Sequence, residues 1–235
     1  MISTRSYHGT ILDICPFDSG RIAYMLLPQR PDADCCKWME KASLSYKCSI
    51  VCISGMDWNN DLSPWTADGV MKKEKPFAGH AEFFLKNLVK DHLKSIEAEL
   101  KLVSPERTLV GVSLSGLFAV WASHKTDAFR NIISISGSLW YDGFVGWKKN
   151  NFVNSGIHRI YLSVGDKEKK AKEPRFTCVE ENTLETGSLL HEEGIDTKVV
   201  VESNTTHLSA LAPRLEKAFE FVYAPEQKGG DGDDD

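Results

Sequence analysis

The sequence predicts an α/β domain built on a mainly parallel sheet flanked by helices. Strand-like and helix-like segments alternate along most of its 235 residues. The inner strand candidates are apolar on both faces, as strands covered by helices from both sides must be. No internal repeat and no Pro/Gly/Ser-rich linker divides the chain, so residues 1–225 are expected to form one domain.

The elements follow in order. "RIAYMLLP" (21–28) and "KCSIVCIS" (47–54) are short β-branched or aromatic runs that end near Pro or Gly, as strands do. Taken as directly joined, they are expected to form an antiparallel edge. A Pro/Gly-rich loop leads to residues 80–101. There Leu85, Leu88, Val89, Leu93, Ile96 and Leu100 recur at spacings that line one helical face. "TLVGV" (108–112) is an apolar strand followed by a helix over about 114–124. "FRNIISIS" (129–136) and "HRIYLSVG" (158–165) are further strands. A helix over 178–193 closes at Gly194, and "DTKVVVE" (196–202) is the last strand. Leu208, Leu211, Leu215, Phe219 and Val222 mark a final helix. The Gly/Asp tail, 226–235, is expected to be disordered.

Composition narrows the function classes. A 42% hydrophobic and 26% charged chain is ordinary for a globular protein. Four aspartates of the tail account for most of the net charge of −5, which leaves a nearly neutral body. Such a body offers no basic field for nucleic acid or a membrane surface. No apolar run approaches the ~18–20 residues that cross a bilayer, and the first residues lack the build of a signal peptide. The expectation is therefore a cytoplasmic protein. The six cysteines show no zinc-ligand spacing. Cys48 and Cys52 read as buried thiols, and the vicinal Cys35–Cys36 pair as incidental.

In such a sheet, chemistry gathers beyond the carboxyl ends of the strands. "GVSLSG" (111–116) sits at a strand-to-helix junction, where a nucleophile elbow needs small residues two before and two after the serine. Gly111 and Ser115 meet that need around Ser113. "SISGS" (134–138) lacks the preceding glycine and is set aside. A serine hydroxyl requires a base to take its proton. His207 follows the last strand, in the position to supply one, whereas His80, His92, His124, His158 and His191 lie elsewhere along the pattern. Chain order places the orienting carboxylate between them, and Asp166 and Glu168 both follow the strand 158–165. Glu168, three residues after Gly165, is preferred. The oxyanion needs two N–H donors. Leu114 should supply one, and Met56, freed by the turn at Gly55, the other. Trp58, Trp65, Trp140 and Tyr141 lie in loops after strands and are candidates to wall a substrate pocket or to pack the loops.

With these residues in order, the chain resembles the α/β-hydrolase superfamily, and within it the esterases grouped with esterase D and the enterobactin-type siderophore esterases. "SGMDWNNDLSPW", "GVSLSG", "SISGSLWYDGF", "YLSVGDKE" and "TTHL" match that group's blocks in order over roughly residues 50–210. The resemblance implies an α/β-hydrolase fold without a large lid and an oxyanion loop starting at Ser54-Gly55-Met56. It also implies an acid three residues after a glycine, as Glu168 is. The elbow departs from the group in having Ser115 where glycine is commoner.

The function expected is hydrolysis of a small carboxylic ester through an acyl-enzyme on Ser113, with His207 as base and no cofactor or metal. A thioesterase or acyltransferase on the same triad, and a ligand-binding protein without turnover, are the alternatives. Siderophore lactones, feruloyl or acetyl esters and small acyl esters all fit, and no basic rim is expected that would select an anionic one. The oligomeric state is left open.

Overall fold

The computed structural model describes residues 1–70, 75–171 and 173–225. The tail expected at 226–235 lies outside them. β1 (Ser3–Tyr7) and β2 (Thr10–Cys15) form a hairpin. His8 and Gly9 between them both take positive φ, as a two-residue turn of that hand demands. Then come β3 (Arg21–Leu26), α1 (Ala33–Tyr46), β4 (Ser49–Ser54) and the short α2 (Trp58–Asp61). β5 (Thr66–Ala67) and β6 (Phe77–Ala78) pair as a small separate ribbon. α3 (Ala81–Asn87) runs through a π-helical turn, Leu88–His92, into α4 (Leu93–Glu99). The rest alternates: β7 (Glu106–Val112), α5 (Leu114–Ala122), β8 (Asn131–Ile135), α6 (Phe144–Lys149), β9 (Arg159–Gly165), α7 (Val179–Glu192), β10 (Asp196–Glu202) and α8 (Leu211–Val222).

Eight strands make one sheet in the order β1-β2-β4-β3-β7-β8-β9-β10. Only the β1–β2 and β2–β4 pairs are antiparallel. Alternation along each strand divides the core in two. Ile22, Tyr24 and Leu26 of β3 face α3, α4 and α5, while Ala23 and Met25 face α1 and α8. Burial on both faces explains why β4, β7 and β8 read as continuous apolar runs.

Two expectations change. β3 and β4 are parallel, not antiparallel. The chain between them is a crossover through α1, which parallel neighbours require. α1 buries only Trp38, Met39, Ala42 and Ser43, a stripe too narrow to stand out amid its charged residues. The antiparallel edge lies instead at β1–β2, ahead of the segments read as strands. The last helix starts at Leu211, and Leu208 is 66% exposed in the loop before it.

Gly111 fixes how closely β7 and α5 approach. A Cβ there would lie 2.0 Å from the Ser115 carbonyl oxygen, a backbone atom that has nowhere to go. Gly111→Ala should therefore destabilise the fold by about 1–3 kcal/mol, the usual cost of overpacking. Urea unfolding measures this, and a variant as stable as the parent would show that the junction can open.

Candidate active site

Ser113 begins where β7 ends. Its backbone takes φ 61° and ψ −124°, a conformation that costs a non-glycine residue about 1–3 kcal/mol. The surroundings hold it there. Its N–H donates to the Ile135 carbonyl at 3.1 Å, and its carbonyl accepts from the Ser138 and Leu117 N–H groups. Ser115 is fully buried, and its hydroxyl accepts from the Val112 N–H at 2.8 Å. The same hydroxyl lies 3.0 Å from the Leu26 carbonyl and 2.9 Å from that of Val112. Ser115 thus fastens the end of β3 to the turn. That role accounts for a serine where a glycine is commoner, and leaves only Ser113 facing open space.

His207 sits between β10 and α8, with its Nδ1 2.7 Å from Glu168 Oε2. The other carboxylate oxygen, Oε1, accepts from the Ser136 hydroxyl at 2.5 Å and the Gly165 N–H at 2.6 Å. Burial pushes the Glu168 carboxyl up, but its hydrogen bonds with His207, Ser136 and Gly165 outweigh it and hold the group below the usual range. Asp166, the alternative acid, does not reach His207. Its carboxylate accepts from the Thr205 N–H at 3.1 Å, and its own N–H donates to the Glu202 carbonyl. It braces the loop that carries the histidine.

Two contributors lay outside the expected set. Ser136 belongs to "SISGS", set aside for want of a nucleophile pattern, yet it ends β8 beside β9 and bonds to the acid. Arg214 of α8 is 1% exposed. It donates through Nη2 to Ser136 Oγ at 2.7 Å and Ser163 Oγ at 3.1 Å, and through Nη1 to the His207 carbonyl at 3.4 Å. Its nearest approach to Glu168 is 4.0 Å, so it acts on the acid mainly through Ser136. Burial pushes the Arg214 guanidinium below its ordinary value, against the pull of Glu168 and Glu202. An arginine on an amphipathic helix carries no sequence signal of inward orientation, whereas a hydroxyl ending a neighbouring strand carries a weak one.

Ser113, His207 and Glu168 line one cavity of about 370 Å³. Ser113 Oγ and His207 are not hydrogen-bonded, as is common in ligand-free sites of this kind. Trp140 and Phe176, with ring centroids 4.9 Å apart, form an apolar wall. Lys167 and Lys170 stand at its edge, so the cavity has a basic rim that the sequence did not lead us to expect. Trp58 and Tyr141 are not among its lining residues. Tyr141 is a packing residue whose hydroxyl donates to the Trp65 carbonyl at 2.6 Å, and burial pushes it up to about 12. Trp65 in turn donates to the Asp142 carbonyl.

Met56 is displaced from the elbow. β3 lies between β4 and β7, so the end of β4 is two strand spacings from Ser113, roughly 10 Å. Met56 lines a second cavity of about 430 Å³ with His8, Thr10, Asp61 and His92. A larger open groove, about 1250 Å³, lies at the amino ends of the strands and is edged by the ion pairs Arg21–Glu106 and Arg159–Asp196. It is remote from the carboxyl-end chemistry.

A family model described as "Putative esterase" matches residues 34–196. The uncharacterized protein YbbA of Bacillus subtilis (strain 168) is 26% identical over 138 residues, 57% of this chain and 55% of that protein. The match thus spans little more than half the length of that curated relative. Among solved structures, the fold is similar to the siderophore hydrolase EstA from Aspergillus nidulans. The TM-score is 0.72 at 18% identity, covering 95% of this chain and 93% of that one. It is also similar to an IroE-like serine hydrolase from Shewanella oneidensis. There the TM-score is 0.75 at 17% identity, over 95% and 79% of the two chains. The mostly parallel sheet with flanking helices and no large lid is the α/β-hydrolase fold of those structures. Among the described residues, no helix is long and apolar enough to cross a membrane.

Because the folded-state pKa of Glu168 is lowered, its ionised form contributes stability above the ordinary glutamate range, about 4.3. That contribution is lost as pH falls through the lowered value. The stability gap between the parent and Glu168→Gln should shrink as pH falls below about 4.3. Denaturant titrations above and below that pH test it, and a gap unchanged at pH 3 would contradict the assignment.

Proposed function

Since the chain belongs to this esterase family, we propose that it is a serine-dependent carboxylic-ester hydrolase in which Ser113, His207 and Glu168 act as nucleophile, base and orienting acid. The observation that carries the proposal is the 2.7 Å contact of His207 with the buried Glu168, in the same cavity as the strained Ser113. With Nδ1 committed to the carboxylate, Nε2 is the nitrogen left to accept the Ser113 proton. Ser113 Oγ attacks the acyl carbon, and the resulting imidazolium is stabilised by Glu168. His207 then gives its proton to the leaving alcohol, and water, activated by the same nitrogen, resolves the acyl-enzyme.

The tetrahedral oxyanion takes the Leu114 N–H, which as the first residue of α5 has no acceptor within the helix. The second donor in this scheme comes from the loop after β3, the strand beside β7, and not from Met56. The Leu27 N–H already donates to the Ile53 carbonyl and Pro28 has none, so Gln29 is the first candidate along that loop.

Hydrolysis of p-nitrophenyl acetate and butyrate tests the proposal, alongside labelling with a fluorophosphonate. Ser113→Ala should lower kcat by about 10⁴-fold or more and abolish labelling. Ser115→Ala should still be labelled at Ser113. Undiminished turnover in Ser113→Ala would refute the nucleophile.

A further inference from the structure

We infer that the ester hydrolysed at this site carries a negative charge on its alcohol part and that Lys167 and Lys170 recognise it, an inference that rests on the roles just proposed for Ser113 and His207. Both lysines line the cavity. They flank Glu168 within one short turn, with Lys167 just before its first residue and Lys170 at its end. Among the described residues, two other cations nearby are engaged. Lys169 pairs with Glu180 at 2.8 Å, and Arg175 with Asp142 and Glu173. Lys167 and Lys170 form no ion pair among the described residues. Their charge is felt by Asp166, but that carboxylate is bonded to Thr205 on the loop. The remaining acid, Glu168, is buried and bonded to His207, Ser136 and Gly165. Among the described lining residues, these two lysines are therefore the cations without an ion-pair partner, their charge offset in part by Asp166, and they stand beside the apolar wall of Trp140 and Phe176.

The side of the ester follows from proton transfer. His207 must protonate the leaving oxygen, so the alcohol part lies on the histidine side of the cavity. The lysine turn is on that side, because the Lys167 N–H donates to the Thr205 carbonyl at 3.1 Å, two residues before His207. An anionic substituent on the alcohol part would meet the lysines, whereas the acyl part lies across Ser113 from them.

Two matched ester pairs test this. One varies the alcohol, 4-carboxyphenyl against 4-carbamoylphenyl butyrate. The other varies the acid, phenyl hemiglutarate against phenyl glutaramate. The carboxyphenyl ester should exceed its neutral partner in kcat/KM by about tenfold at low ionic strength, mainly through KM. The ratio should fall toward one in 0.5 M salt, and likewise in Lys167→Met/Lys170→Met. The salt series on the parent protein stands by itself if that variant does not fold. A ratio of one in the parent, or a preference for charge on the acyl part instead, overturns the inference while leaving the hydrolase in place. Absence of turnover with all four esters, together with no labelling of Ser113, overturns both.

Discussion

The C-terminal half of this protein is arranged around one buried carboxylate. An ionised glutamate taken out of water is costly unless its lone pairs are occupied. Glu168 meets that condition with donors from three separate places: the end of β8, the end of β9 and the loop before α8. Arg214 adds a fourth element, reaching Ser136 from α8. Each partner restricts where its own element can sit. Gly165 is held so close to the histidine loop that a Cβ would lie 2.2 Å from the Thr205 carbonyl oxygen. The orientation of His207 is therefore a consequence of how two strands and a helix pack around its loop, and not of the loop alone.

The Ser113 side obeys a different constraint, steric rather than electrostatic. β7 and α5 meet with Gly111 against the Ser115 backbone, and all nine residues of α5 are buried. A buried hydroxyl at Ser115 does what a second glycine would not, since it bonds both to the Val112 backbone and across to the end of β3. The elbow is thereby tied to the strand whose following loop holds the proposed second oxyanion donor.

Much of this was legible in the sequence because local signals and tertiary roles coincide. β10 spans 196–202 as read, and β7 with α5 was recognisable from an apolar run broken by small residues. His207 and Glu168 stood out because polar residues capable of chemistry follow buried strands. Other features were not legible because they depend on neighbours distant in the chain. The direction of β3 against β4 is decided by a crossover helix with a narrow apolar stripe, and that β3 lies between the strand before Met56 and the strand before Ser113 is a matter of sheet order alone. Ser136 and Arg214 have ordinary local contexts, and only the assembled sheet brings them behind the acid. The basic rim was present as "DKEKK", but which lysines face the cavity depends on a turn that sequence periodicity does not describe.

The two halves of the candidate site also differ in how firmly they are embedded. Ser113 is set between a central strand and a fully buried helix, whereas residues 203–211 are largely exposed and His207 itself is 42% accessible. Local opening costs least where few apolar contacts must be broken. Amide hydrogens around His207 will therefore exchange well before those of β7 and α5. On gentle heating this loop will open while the sheet is still intact, and it will close on cooling without the chain having passed through its unfolded ensemble.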